Sequence, residues 1–207
     1  MKKILSLLLI TVMVFSMASC GAKEDQGPSP TVTVDNFLKA IKAQDFETAA
    51  QYYEGDISGL GMLQEEDDPV LSGILGSLTE KILDFEYTLD NEVIEKNAAT
   101  VDINFKTYDL GKVMEELING ILKDASALNL MGLDQEEMEA EIAEILDVQF
   151  QKIMQNASKD KTITVTVNLV KKKGVWLLKD LTDKEDFMNA LSGGIMEFAN
   201  GIEDTIS

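Results

Sequence analysis

The sequence contains no histidine, no arginine and a single cysteine, and each of these shortages excludes a class of function. Without histidine, an imidazole general base, a His-based zinc site and a Ser-His-Asp triad are all excluded. Without arginine, there is no guanidinium clamp for phosphate or carboxylate. The 18 basic residues are all lysines, and 37 acidic residues bring the net charge to −19. We therefore expect no nucleic-acid partner, because phosphate backbones are bound by basic surfaces.

The first twenty residues have the pattern of a secretory signal. Lys2 and Lys3 precede an uncharged apolar run, and the small residues Ala18, Ser19 and Cys20 follow it. A charged start, an apolar middle and a small-residue cleavage site are the three parts of a signal peptide. The alternative is an uncleaved membrane helix, since residues 4–22 hold no charge and nineteen residues could just span a bilayer. The small residues at its end, with no lysine cluster after them, favour cleavage.

Cys20 stands directly after Ser16-Met17-Ala18-Ser19, and this arrangement resembles the lipobox of bacterial lipoproteins. Met17 occupies the position where that family usually has leucine. The resemblance implies that the Cys20 thiol carries a diacylglycerol and becomes the first mature residue, at the cell membrane and facing outside the cytoplasm. Removal of residues 1–19 leaves 188 residues, with 16 lysines against 37 acids and hence a net charge of −21. No disulfide can form, so burial must stabilise the fold.

The mature chain is predicted to consist of a lipidated cysteine with a tether, residues 20–30, and one α+β domain, residues 31–207. Residues 21–30 hold two prolines and no apolar periodicity. Apolar residues at helical spacing then begin at Val34, with Thr33 as the expected N-cap. Asp45 is the expected cap of a second helix, and Pro69 is expected at the first position of a third.

Two later segments alternate between apolar and polar residues, which predicts antiparallel hairpins with one buried face. The first runs from Phe85 to Phe105 and has Phe85, Tyr87, Leu89 and Val93 on its buried face, and the second spans residues 162–178. A helical insertion at about 108–158 separates them, and a final helix is weakened by Gly193-Gly194. The predicted class is α+β, with a curved antiparallel sheet of two hairpins packed against N-terminal helices.

This layout resembles the nuclear transport factor 2-like (cystatin-like) fold, and in particular small Gram-positive lipoproteins of unknown function. The resemblance rests on VDNFLKAIKAQDFETAAQYY at 34–53, the two hairpins, and GVWLLKDL at 174–181. It implies a curved sheet wrapped around a helix, forming a cone that in many relatives holds a small apolar ligand. Tyr53, Tyr87 and Phe105 are the candidate residues for lining such a pocket. The alternative for each is an ordinary place in the core.

These observations favour a membrane-anchored, non-enzymatic module that binds a small apolar ligand or an envelope protein. We expect a monomer without a cofactor. One alternative is a cation-binding or structural surface protein that uses the seven acids between Asp134 and Asp147. A small isomerase with an Asp/Tyr pair in an apolar cone is less favoured, since the inward strand positions are apolar. Lys171-Lys172-Lys173 could touch anionic headgroups, although turns commonly expose lysines.

Overall fold

The structure is a computed structural model that describes residues 27–57, 69–128, 135–181 and 185–206. The predicted signal peptide, Cys20 and Asp134, the first of the seven acids between Asp134 and Asp147, lie outside these ranges. The helices are α1 (Pro30–Lys42), α2 (Phe46–Ala50), α3 (Pro69–Leu83), α4 (Leu110–Leu128), α5 (Gln135–Asn156), α6 (Glu185–Leu191) and α7 (Ile195–Ile206). The strands are β1 (Glu86–Glu95), β2 (Ala98–Thr107), β3 (Lys161–Lys172) and β4 (Val175–Leu178). The predicted α+β class is confirmed.

The four strands form one open antiparallel sheet in the order β1-β2-β3-β4. Both predicted hairpins are present, and α4 and α5 form the helical insertion between them. Tyr87 lies opposite Phe105, and Val101 lies opposite Val167. Because side chains alternate along a strand, this register places the apolar residues of the strands on one face.

The prediction that Val93 lies on the buried face of the first hairpin is wrong. The register of β1 against β2 shifts between Asp90 and Val93, and Asn91 has a φ of 52°. An extra residue in one strand is a β-bulge, which reverses the alternation beyond it. Val93 therefore lies opposite Thr100 on the outer face, and its side chain is 51% exposed.

The main core lies between the inner face of the sheet and helices α1 and α6. Phe105 is at its centre, edge-on to Phe85 and Phe187 with ring centroids 5.4 and 6.0 Å apart. The largest fully buried side chains of the main core are Phe37, Phe85, Phe105, Phe187, Leu38, Ile41, Ile103, Leu169, Leu178 and Leu181. The apolar stripe of α1 therefore packs on the strands as the sequence predicts.

Helix α1 begins earlier than predicted, because its N-cap is Ser29 and not Thr33. The Ser29 hydroxyl oxygen accepts the Val32 N–H at 3.3 Å, and Pro30 occupies the first helical turn, where no N–H is needed. Thr33 is buried, and its hydroxyl donates to the Ser29 carbonyl at 3.0 Å. The predicted tether therefore overlaps the helix at Pro30. The cap predicted at Asp45 is confirmed, since its carboxylate accepts the Thr48 N–H at 3.0 Å.

A second core joins α3 to the helical insertion. Its buried members are Ile74, Leu78, Leu110, Val113, Leu117, Phe150 and Met154. The predicted final helix is divided into α6 and α7 by a turn at Ser192–Gly194, in which Gly193 has a φ of +64°. The Gly193 carbonyl accepts the Gly111 N–H at 3.2 Å, so this turn rests against the start of α4.

The free edge of β4 is bonded to the segment that follows α2. Tyr53 forms a parallel bridge with Leu178. The Leu178 N–H donates to the Tyr52 carbonyl and the Glu54 N–H donates to the Leu178 carbonyl, both at 2.8 Å. Residues 52–54 thus satisfy backbone groups that an edge strand would otherwise expose.

Candidate functional site

Of the three candidate pocket residues, Phe105 and Tyr53 lie in the main core. Phe105 is fully buried, and neighbouring phenylalanine rings occupy the space beside it. The Tyr53 ring lies 5.7 Å from that of Phe37. Its hydroxyl donates to the Asp180 carboxylate at 2.7 Å and accepts the Leu181 N–H at 2.8 Å. This hydroxyl therefore connects the segment that follows α2 with the chain that follows β4.

Tyr87, the third candidate, lies half-buried at the rim of the core. Its hydroxyl donates to the Asp35 carboxylate at 2.8 Å, and Lys39 donates to the same carboxylate at 2.6 Å. The Lys39 hydrogen bond is the main reason that the pKa of Asp35 is lowered. Burial, together with the neighbouring Asp35, raises the pKa of Tyr87. At neutral pH the pair is a carboxylate and a protonated phenol.

A second group of tyrosine, aspartate and lysine has no counterpart in the sequence-based predictions. The Tyr108 hydroxyl donates to Asp84 at 3.0 Å, and Lys159 donates to Asp84 at 2.8 Å. The Lys159 hydrogen bond lowers the pKa of Asp84, and the same bond raises the pKa of Lys159. The three residues are far apart in the sequence, so no local motif indicates the group.

The outer face of the sheet carries threonine, asparagine and aspartate side chains in register across three strands. The Thr166 hydroxyl donates to Asp102 at 2.6 Å, and the Thr164 hydroxyl donates to the Asn104 amide oxygen at 2.7 Å. The Asn104 amide nitrogen donates in turn to Asp90 at 2.9 Å. Thr166 and Thr164 are exposed, and Asp102 and Asn104 are half-exposed. This face offers hydrogen-bond donors and acceptors to a polar partner.

Two clefts of mixed charge flank the first turn of α4. One, of about 220 Å³, is lined by Asp109, Lys112, Glu116 and Asp160 among others. The other is more open, with a volume of about 360 Å³, and it includes Lys161, which donates to Asp109 at 3.0 Å. Within the described residues, no group of three or more acidic, cysteine or histidine side chains is arranged to hold a metal ion.

The three consecutive lysines lie at the β3–β4 turn. Lys172 forms an ion pair with Glu54 at 2.6 Å, and the Lys171 ammonium lies 5.5 Å from the centre of the Trp176 ring. Lys173 and Gly174 form the turn itself, with positive φ at both residues. Lys172 and Lys173 are exposed and Lys171 is half-exposed. The turn is therefore a basic surface on an acidic protein.

Comparisons with known proteins give one structural similarity. No family model matches the chain, and no curated protein matches it. The chain is similar, at 18% sequence identity and a TM-score of 0.42, to a crystal structure of ycdA from Bacillus subtilis, which is described as a candidate lipoprotein. The match covers 80% of this chain and 48% of the other, so the chain spans about half the length of that protein.

The resemblance to the nuclear transport factor 2-like fold stays a prediction.

Among the helices described, none has the length and apolar character needed to cross a bilayer.

Proposed function

We propose that this protein is an extracytoplasmic lipoprotein, held at the cell membrane by a diacylglycerol on Cys20, whose domain is a non-enzymatic binding module. The order of features at the N-terminus supports this proposal best. A charged segment is followed by an apolar run and small residues, and the only cysteine of the chain comes directly after them. The first helix is capped at Ser29, so residues 20–28 are available as a short tether. Two acyl chains on one cysteine suffice for stable anchoring.

The outer face of the sheet supports a second protein of the envelope as the partner. Its hydroxyl, amide and carboxylate groups are exposed or half-exposed and are already ordered by hydrogen bonds, for example from Thr166 to Asp102. An ordered polar surface loses less conformational entropy on binding than a mobile one. A small apolar ligand is the second candidate, and the aromatic rings packed around Phe105 make it the less favoured of the two.

The surroundings of the tyrosines support a non-enzymatic role. An isomerase of the Asp/Tyr type needs a carboxylate base facing an apolar cavity. Asp35 and Asp84 each accept a hydrogen bond from lysine and lie at the surface. The inward strand positions Ile103, Val165 and Val167 are apolar.

Replacement of Cys20 by alanine tests the anchor. In cells given a labelled fatty acid, Cys20→Ala is expected to accumulate as unprocessed precursor without label, because the chain has no other thiol. The control is Ser19→Ala, which keeps a small residue before the cysteine and should be labelled and processed normally. Incorporation of label into the Cys20→Ala protein would contradict the proposed anchor.

A further inference from the structure

Both hairpin turns and the start of α1 lie at one end of the sheet, which we call the hairpin end (residues 27–32, 93–98 and 171–175). The Lys171 N–H donates to the Asn97 carbonyl at 2.8 Å, which joins the two turns. The Thr31 N–H donates to the Glu92 carboxylate, also at 2.8 Å, which holds the start of α1 beside β1. Since β3 has 12 residues, this end lies about 40 Å from the start of that strand.

The hairpin end concentrates positive charge on an acidic protein. It carries Lys96 as well as the three lysines at 171–173, and Lys96, Lys172 and Lys173 are exposed. Three carboxylates of the described residues lie near these lysines. Glu54 forms an ion pair with Lys172, Glu92 accepts hydrogen bonds from Thr31 and keeps its negative charge, and Glu95 ends β1. The four lysines therefore outnumber the nearby acids, although acids outnumber lysines in the chain as a whole.

The same end also exposes apolar side chains. Among the side chains whose exposure the structure describes, seven large hydrophobic residues are exposed, and four of them lie here. These four are Val32, Val93, Ile94 and Val175, which are 44%, 51%, 50% and 44% exposed. Basic and apolar groups on one surface are the combination that binds at a membrane interface.

The tether leaves the domain at this end. A Cβ atom placed on Gly27 would lie 3.5 Å from the Gly174 carbonyl oxygen, so the backbone before α1 contacts the β3–β4 turn. Cys20 lies seven residues before Gly27, and seven residues reach at most about 25 Å. A lipid on Cys20 would therefore hold the hairpin end within about 25 Å of the bilayer, whereas the tether sets no such limit on the opposite end.

We propose that the hairpin end docks on the anionic lipid headgroups of the membrane to which Cys20 anchors the protein. The inference rests on the proposed anchor. The mature chain has a net charge of −21, so an anionic surface repels most of the domain. Salt screens this repulsion beyond about 8 Å at physiological ionic strength. The orientation of the domain therefore depends mainly on the charges nearest the bilayer. Turning the lysines toward the bilayer places the attractive charges within that distance.

The test uses the full-length lipidated protein in vesicles of phosphatidylcholine and phosphatidylglycerol that contain a headgroup quencher. Acylation blocks the Cys20 thiol, so one introduced cysteine can be labelled with a dye. Asn97→Cys reports on the hairpin end, and Asn156→Cys reports on the opposite end, where α5 finishes. The dye at position 97 is expected to be quenched severalfold more than the dye at position 156.

A charge-matched pair of variants tests the lysines. In the Asn97→Cys protein, Lys96→Gln, Lys172→Gln and Lys173→Gln together are expected to lower the docking equilibrium about a hundredfold, at about fivefold for each lysine. The control set is Lys106→Gln, Lys112→Gln and Lys152→Gln, which changes the net charge equally at exposed positions toward the other end. The control is expected to leave the quenching unchanged.

Each other outcome overturns a different claim. Equal quenching at positions 97 and 156 in protein that floats with the vesicles would overturn the docking and leave the anchor intact. An equal effect of the two lysine sets would overturn the role of the hairpin end, since only total charge would then matter. A Cys20 that carries no acyl chain would overturn both the anchor and the docking that rests on it.

Discussion

The hydroxyl of Tyr53 joins two distant parts of the chain through a pair of hydrogen bonds. Tyr53→Phe keeps the ring beside Phe37 but removes the acceptor of the buried Leu181 N–H and the donor to Asp180. An unsatisfied buried N–H costs about 1–3 kcal/mol, and we expect the free energy of unfolding to fall by that amount. Urea denaturation followed by circular dichroism measures the change.

Tyr108→Phe is the matched control, because its hydroxyl also donates to a carboxylate but at the surface. Asp84 is half-exposed, so water replaces the lost bond and the expected loss is about 0.5 kcal/mol or less. Equal losses in the two variants would contradict the structural role assigned to Tyr53.

The hydrogen bond between Lys159 and Asp84 gives stability a dependence on pH. The pKa of Asp84 is lowered from its usual 3.8, so the folded state favours the ionised carboxylate. This contribution is present above about pH 4 and is lost as the pH falls through the lowered pKa. The pKa of Lys159 is raised from 10.5, so its contribution is complete below that pH and is lost at higher pH.

Asp84→Asn is therefore expected to lower the urea midpoint at pH 7 and to reduce the difference between pH 7 and pH 3. The effect is expected to be small, because the Asp84 side chain is 51% exposed and water screens the pair. Glu80→Gln removes an exposed charge from α3, the helix that ends just before Asp84, and is the control for net charge. If the stability of Asp84→Asn fell more steeply with acid than that of the unmodified protein, the pKa of Asp84 would not be lowered in the folded state.

Among the secondary-structure elements, the contact between the start of α4 and the α6–α7 turn requires glycine. A Cβ atom on Gly111 would lie 2.5 Å from the Gly194 carbonyl oxygen, so the two backbones are too close for any side chain. Gly111→Ala is expected to lower the free energy of unfolding by about 1–3 kcal/mol through this overpacking. Thermal unfolding measures the shift.

Gly76→Ala, in α3, is expected to have the opposite effect on the free energy of unfolding. Within the described residues, no atom outside the neighbouring backbone of α3 lies within 4 Å of a Cβ placed on Gly76, which lies on the exposed side of that helix. Alanine is favoured over glycine inside a helix by up to about 1 kcal/mol, so this variant is expected to be slightly more stable. Stabilisation by both substitutions would mean that the contact at Gly111 is looser than described.

The elements with strong local signals could be predicted from the sequence, and their exceptions have tertiary causes. Alternation in β2 and β3 and the cap at Asp45 are local, and they were predicted correctly. The inward position predicted for Val93 is wrong, because the bulge at Asn91 changes the strand register without interrupting the apolar pattern of the sequence. The sequence places Ser29 in the tether because residues 21–30 hold two prolines and no apolar periodicity, although proline is well suited to the first turn of a helix.

For the molecule as a whole, Phe105→Ala tests whether the main core is filled or encloses a ligand cavity. In a filled core, removal of the ring leaves a cavity and is expected to cost about 3–5 kcal/mol. The unmodified domain should then bind no apolar dye in its interior. A markedly smaller loss, together with saturable dye binding to the unmodified protein, would favour the small-ligand alternative over binding at the outer sheet face.

The candidate sites differ in how far the sequence could predict them. The proposed attachment at Cys20 is a contiguous motif, so the sequence alone indicates it. The hairpin end joins residues from three separate parts of the chain. Its lysines are visible in the sequence, but their position beside Val32, Val93 and the tether depends on strand register and the docking of α1.

The two edges of the sheet have a consequence for crowding at a membrane. The proposed lipid anchor would confine all copies to two dimensions, where exposed strand edges of neighbouring molecules could pair and propagate into aggregates. The β1 edge carries Glu86, Asp90, Glu92 and Glu95 and is distorted by its bulge. The β4 edge is short and its Leu178 is already bonded to residues 52–54. High surface density is therefore compatible with separate molecules, each with its outer sheet face available.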